Sequence, residues 1–333
     1  MTSVSDGPSA GGWREAGLRY FSRNYFWRRT FGRKVWRVSL DAGLGCPNRD
    51  DTLGRRGCIF CNPASFSPSR RLGLSGITAQ LGEGIRRLQV RHKIDRFVAY
   101  FQPGTNTSGP IGRLRALYEE ALAHPQVVGL AIGTRPDCVP DEVLDLLEDL
   151  AGRTWLGVEY GLQTIHDRTL RWLDRGHCYQ DFLDAVGRSR CRGLEIGAHV
   201  ILGLPGESRL DMQATALELA RLGIDSVKLH NLYAVRGTRL ADEVAAGRVR
   251  LPEMAEHVAA VADFIERLPS GCVVDRLSGD APAEYLLAPQ WCLDKLAVRA
   301  AVEAELDRRG SWQGSLLRSP LPPGATICDG ARG

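Results

Sequence analysis

Six short apolar runs punctuate residues 35–235: VWRVSLDAG (35–43), RFVAYFQ (96–102), VVGLAIGT (127–134), WLGVEYG (155–161), EIGAHVILG (195–203) and SVKLHNLYA (226–234). Their length and their content of branched and aromatic residues predict strands. Between them lie amphipathic stretches, TAQLGEGIRRLQVRH, GRLRALYEEALAH, PDEVLDLLEDLAG, YQDFLDAVGRSRCRG and LDMQATALELARLG, several of them ending at glycine as helices do. Strand–helix alternation predicts βα units on a parallel α/β sheet, with chemistry at the C-terminal strand ends. After residue 240 the pattern turns helical, and SPLPPGATICDGARG reads as a loose tail. The expected organisation is a disordered N-terminus over 1–12, a core over 13–240, a helical extension over 241–310 and a tail over 311–333.

Composition changes this picture little. The chain has 333 residues, 44% hydrophobic and 25% charged, as ordinary globular proteins do. No apolar run is long enough to span a bilayer, and the first residues lack the apolar core of a secretory signal, so no membrane partner and a cytoplasmic location are expected. A net charge of +4 does not by itself argue for nucleic acid. Residues 13–37 do mix aromatics with eight basic residues. An RNA-binding surface and a helix packing its aromatics on the core both fit that segment, and the second is favoured, with the Arg side chains in water. The nine cysteines are an odd number and mostly scattered, which predicts reduced thiols rather than a disulfide framework.

Three cysteines stand out. Cys46, Cys58 and Cys61 lie in LGCPNRDDTLGRRGCIFCN, on one loop after the first strand, and the last two form a C-x-x-C pair. Three thiolates are one short of a closed four-ligand site. A 4Fe–4S cluster held this way keeps one iron open, whereas structural zinc takes four ligands and no fourth Cys or His lies within about thirty residues. Spacing favours the cluster and leaves zinc as the alternative. The other strand ends are polar too: Gln102 to Thr107; Thr134-Arg135-Pro136-Asp137; Glu159 to Gln163; His199 to Glu207; Lys228 and His230. Such residues gathered at one end of a parallel sheet form a site.

Together CPNRD, GCIFCN, YFQ-x-x-TNT, GTRPDC, VEYGLQT, RGH, HVILGLPGE, VKLHNL and SGDAP resemble the radical S-adenosylmethionine (SAM) superfamily, more narrowly its YhcC-like proteins, over about residues 17–300. GTRPDC and LGLPGE also resemble the radical SAM part of the Elongator catalytic subunit. The resemblance implies a partial (β/α)6 TIM-like barrel with N-terminal and C-terminal helical extensions. It implies a 4Fe–4S cluster on Cys46, Cys58 and Cys61, with SAM chelating the fourth iron. Phe60 and the segment Ile201–Gly203–Glu207 would then flank adenine. Gln102, Thr105 and Asn106 would stand where relatives hold the SAM amino group, and Glu159 would meet its polar end or ribose. Gln163 and His199 join the cofactor-binding candidates. Arg135, Asp137, Lys228 and His230 are left as catalytic candidates, with His177 beside them. Cys138 is read as filling space rather than donating hydrogen. Two departures stand out, Asp51 where relatives commonly have Gly and Gly104 where they have an aromatic. Cys272, Cys292 and Cys328 lack cluster-like spacing, so no auxiliary cluster is expected.

The implied chemistry is reductive cleavage of SAM to methionine and a 5′-deoxyadenosyl radical that abstracts hydrogen from a substrate, a tRNA or a small metabolite. It calls for a one-electron reductant such as flavodoxin or ferredoxin. The rival classes are a non-catalytic iron–sulfur or zinc RNA-binding module and an electron carrier.

Overall fold

All six expected strands form, and a seventh joins them. The computed structural model describes residues 12–50 and 55–317. Its main sheet runs β1 (Trp36–Leu40), β2 (Phe97–Phe101), β3 (Val127–Thr134), β4 (Trp155–Gln163), β5 (Glu195–Leu202), β6 (Ser226–Asn231) and β7 (Val273–Arg276), in chain order and parallel throughout. Residues 1–11 and 318–333, with Asp51 and Cys328, lie outside the described residues, so the readings placed on them are not taken further.

The strand faces divide by parity. In β4, Leu156, Val158, Tyr160 and Leu162 join the main hydrophobic core, while Gly157, Glu159, Gly161 and Gln163 take the opposite, lumen face. β5 repeats this, with Ile196, Ala198, Val200 and Leu202 in the core and Gly197, His199 and Ile201 opposite. The outer face is covered by α2 (Ile77–His92), α3 (Ile111–Leu122), α4 (Asp141–Ala151), α5 (Asp167–Trp172), α6 (Tyr179–Ser189) and α7 (Arg209–Arg221). Buried Leu114, Leu144, Leu147, Phe182 and Leu219 pack from these helices onto the core.

β7 corrects the helical reading of the chain after residue 240. Its four residues are too few to show a period, and pairing with β6 identifies it. The helices expected there do form, as α8 (Met254–Ile265) and α9 (Lys295–Arg308). Among the described residues no ladder joins β1 to β7, so the sheet is a curled half-barrel with an open seam.

The N-terminal segment covers that seam. α1 (Arg23–Phe31) is capped by Ser22, whose hydroxyl accepts from the Tyr25 amide at 3.3 Å, and Ser22 also bridges Val274 of β7. Trp13, Phe21 and Trp27 are buried, as expected of its aromatics. Arg23 departs from the expectation of solvated basic residues. It is buried, ion-paired to Asp275 of β7, and donates to Glu195 of β5 at 2.9 Å.

The thiols correct one further reading. Cys46, Cys58, Cys61, Cys138, Cys178, Cys272 and Cys292 are free, but Cys191 is disulfide-bonded.

Candidate active site at the C-terminal rim

The loop after β1 turns through Gly43 and Gly45, both in the left-handed region that glycine adopts freely, and delivers Cys46 to the rim. Asp41 steadies the turn by accepting from the Gly43 amide at 3.0 Å and the Ser67 hydroxyl at 2.8 Å. Cys58 is buried, and its carbonyl accepts from the Cys61 amide at 3.1 Å. Burial first, then the neighbouring Cys58 and Cys46, push the Cys61 thiol up to about 12. Among the described residues no group of three or more His, Cys, Asp or Glu side chains is arranged to hold a single metal ion. Cysteine thiolates are the donors that an iron–sulfur cluster takes, and three of them on one loop match that donor set.

The loop after β2 packs directly onto the cysteine loop. The Thr105 amide donates to the Gly45 carbonyl at 2.8 Å, and Gln102 accepts from the Ser39 hydroxyl at 3.1 Å. Thr105 and Asn106 are fully buried. Asn106 donates to the carbonyls of Phe101 and Gly133 at 3.0 and 2.9 Å and so fastens β2 to β3, while Thr105 Oγ1 and Asn106 Oδ1 have no hydrogen-bond partner. Gly104 has φ +81, and a Cβ there would lie 2.3 Å from the Gly45 carbonyl oxygen. That close approach accounts for glycine where an aromatic was the familial expectation. Gly104→Ala is expected to destabilise the protein by about 1–3 kcal/mol, read as a lower urea midpoint at unchanged slope; an unchanged midpoint would refute the close approach.

Around the rim, Phe60 packs against a cluster that includes Ile59, Leu173, Ile201 and Leu204, so two of the expected adenine neighbours share one apolar region. Arg135 is buried and pairs with Asp137 at 2.9 and 2.7 Å. Gln163 ends β4 with φ +73, a conformation rare outside glycine and a mark of functional sites. Gly203 has φ +80 beside Pro252. Glu207 turns aside to accept from Thr164 at 2.7 Å. His177 stays neutral: burial, then the Arg175 and Arg135 charges, lower it to about 4.

The remaining candidates lie deeper, in the lumen. Glu159 receives His199 Nε2 at 2.6 Å, Tyr100 Oη at 2.8 Å, Lys228 Nζ at 3.1 Å and Arg37 Nη2 at 2.8 Å. Burial alone would raise its carboxyl; the Arg37 and Lys228 charges, then the His199 hydrogen bond, overcome burial and hold it well below the usual range. Burial brings Lys228 down to about 8 against the pull of Glu159. His230 stacks obliquely on His199, with ring centroids 5.6 Å apart, and its Nε2 has no hydrogen-bond partner among the described residues. Burial first, then Arg276, keeps His230 neutral. The structure thus brings the cysteines, Phe60, Ile201, Gln102 and Arg135 together at the rim. It sets Glu159, His199, Lys228 and His230 beneath them.

A cleft of about 1090 Å³ opens sideways at the seam between β1 and β7 and reaches Tyr100, Gln102 and Lys228. Arg28 and Arg29 stand in its wall and make no ion pair among the described residues. The lumen partners Arg37 and Tyr100, and the residues that touch Cys58, were not foreseen. Their types are common in strands and loops, and only the fold brings them together.

Comparison with known proteins agrees with this architecture. Residues 44–219 match the family model described as the Radical SAM superfamily, and residues 224–308 match the Radical_SAM C-terminal domain. Protein YhcC of Escherichia coli (strain K12) is 38% identical over 299 residues, covering 89% of this chain and 94% of that one. A tRNA uridine(34) acetyltransferase of Dehalococcoides mccartyi is 30% identical over 74% of this chain and 59% of its own length. The solved structure of the archaeal Methanocaldococcus infernus Elp3 with an N-terminal deletion superposes with a TM-score of 0.64 at 18% identity, covering 84% of this chain and 64% of that one, a likeness of fold.

Proposed function

The chain belongs to the radical SAM superfamily, and from that premise we propose that Cys46, Cys58 and Cys61 hold a 4Fe–4S cluster that works on SAM at the C-terminal rim. The observation that carries this reading is the three-thiol loop seated at the end of β1, with two N–H donors already aimed at Cys58. When bound, the cluster and SAM supply reductive C–S cleavage and a 5′-deoxyadenosyl radical.

The chain's own residues position the partners. Phe60 and Ile201 give adenine an apolar wall, and Gly203 lets the backbone approach it. Gln102 faces the polar end of SAM, on a loop that Thr105 and Asn106 hold in place. Glu159 acts from below, fixing His199 and Lys228 rather than touching the ribose. Gln163, Arg135 and Asp137 complete the rim, and Glu207 supports it through Thr164. Lys228, held near 8, and His230, neutral with a free ring nitrogen, are the groups able to exchange a proton with a substrate. Residues 13–240 serve as the catalytic core, and 241–310 add β7 at one edge of the seam and the helices α8 and α9.

The substrate enters through the lateral cleft. Its Arg28 and Arg29, without an ion pair among the described residues, favour an anionic substrate, and the relative named for tRNA makes RNA the first class to test. A flavodoxin or ferredoxin would supply the electron.

Anaerobic reconstitution is expected to give about four irons per chain, and dithionite with SAM to give 5′-deoxyadenosine. Deuterated RNA pools should pass label to that product. A colourless protein with one zinc, or iron without SAM cleavage, would overturn the reading.

A further inference from the structure

Arg175 lies on the loop between α5 and α6 and is 7% exposed. Its Nη1 donates to Cys58 Sγ at 3.1 Å, its Nη2 to the Gly161 carbonyl at 2.7 Å, and its Nε to His177 Nε2 at 3.3 Å. Among the described residues no carboxylate pairs with it. A buried guanidinium without a counter-ion is costly, and the one partner here able to carry negative charge is the Cys58 sulfur.

Asn48 is a second donor to the same sulfur, at 3.4 Å, and its amide also donates to the Asp174 carbonyl at 2.6 Å. The neighbouring glycine leaves room for this. Gly176 has φ +67, and a Cβ there would stand 2.2 Å from Asn48 Oδ1. Arg135, itself clamped by Asp137, donates to the Arg175 carbonyl. The loop is thus pinned from both sides, with its cation aimed at one cysteine.

We propose that Arg175 and Asn48 form a fixed donor set on Cys58 that raises the reduction potential of the cluster; this rests on the reading of Cys46, Cys58 and Cys61 as its ligands. Adding one electron increases the negative charge on the ligating sulfurs. Hydrogen bonds and a buried positive charge at a sulfur stabilise the reduced form more than the oxidised one. Arg175 and Cys58 are both buried, which limits screening of the effect. The electron comes from the external reductant, and no bond within the protein changes. Arg175 and Asn48 are positioning residues, since they act through Cys58.

The test is an EPR-monitored potentiometric titration of the reconstituted full chain without SAM. It compares wild type with Asn48→Ala, Arg175→Lys and Arg175→Gln. The wild type should be easiest to reduce. Asn48→Ala and Arg175→Lys should each lower the reduced-to-oxidised ratio at fixed potential by several-fold. Arg175→Gln, which keeps a donor but loses the charge, should lower it at least tenfold, about 59 mV for a one-electron couple. Arg175→Lys and Asn48→Ala keep the comparison open should Arg175→Gln not take up iron. Equal potentials in wild type and loaded variants would overturn this inference alone. A wild type that takes up no cluster would overturn the reading beneath it as well.

Discussion

Cys58→Ala is expected to give a folded chain that holds no 4Fe–4S cluster and forms 5′-deoxyadenosine no faster than the uncatalysed background, a fall of roughly 10⁶-fold or more. The size of the effect follows from the ligand count. Three cysteines already leave one iron for SAM, and removing another leaves two, too few to hold the cluster in place. The loop backbone is pinned independently, so the fold should form, but losing the Cys58 sulfur leaves the buried Arg175 guanidinium without that partner and the variant should be less stable than wild type. The Ile59 amide donates to the Leu173 carbonyl at 3.0 Å, and the Leu240 amide to the Ile59 carbonyl at 3.0 Å. Iron content, the visible spectrum and product formation report the loss, and far-UV circular dichroism reports the fold. Iron and product at wild-type levels in the variant would refute the assignment of Cys58.

Glu159→Gln is expected to destabilise the protein by about 3–5 kcal/mol, the range for stranding buried charges by removing their partner. The glutamine is nearly isosteric, so lost charge rather than a cavity is tested. Arg37 keeps Asp275 at 3.2 Å, but Lys228 keeps only the Tyr100 hydroxyl at 2.6 Å. Lys228 must then shed its proton or remain charged in a buried site. Denaturant unfolding at neutral pH measures the loss, and adding Lys228→Met should recover part of it, since the stranded charge goes too. The carboxyl also carries a pH signature. Its folded value lies below the unfolded one, so its contribution is present above about pH 4.5 and is lost as pH falls below that. Glu159→Gln should flatten that acid arm. A loss under about 1 kcal/mol would mean that the lumen charges are solvated enough to need no partner.

The sheet was legible because its strands are long enough to show their character. WLGVEYG announces β4, and the Gly-rich turns announce the rim. β7 was not legible, since Val273 and Val274 have too few neighbours to show alternation. Within the site the cysteine spacing and the motifs around it pointed to one loop and one rim, and Phe60 and Ile201 do belong to one apolar region there. The depth of Glu159 was hidden, because sequence places a residue on a strand but does not say how far below the rim its carboxylate lies. Arg175 and Asn48 were inside quoted motifs, RGH and CPNRD, yet they reach the same sulfur only when the α5–α6 loop folds over the cysteine loop.

The seam imposes an order on synthesis. Trp13 donates to the Ser270 carbonyl, Arg23 pairs with Asp275, and the Phe21 amide donates to Gln313, partners 257, 252 and 292 residues away. The segment around Trp13, Phe21 and Arg23 is therefore completed only by residues made at least 252 positions later. Until those are made, Trp13 and Phe21 lack Val273 and Trp312 to cover them, a state open to aggregation and to chaperone capture. The half-barrel can assemble βα unit by βα unit without waiting, but Trp13 and Phe21 must stay in reserve until β7 and the residues after α9 exist.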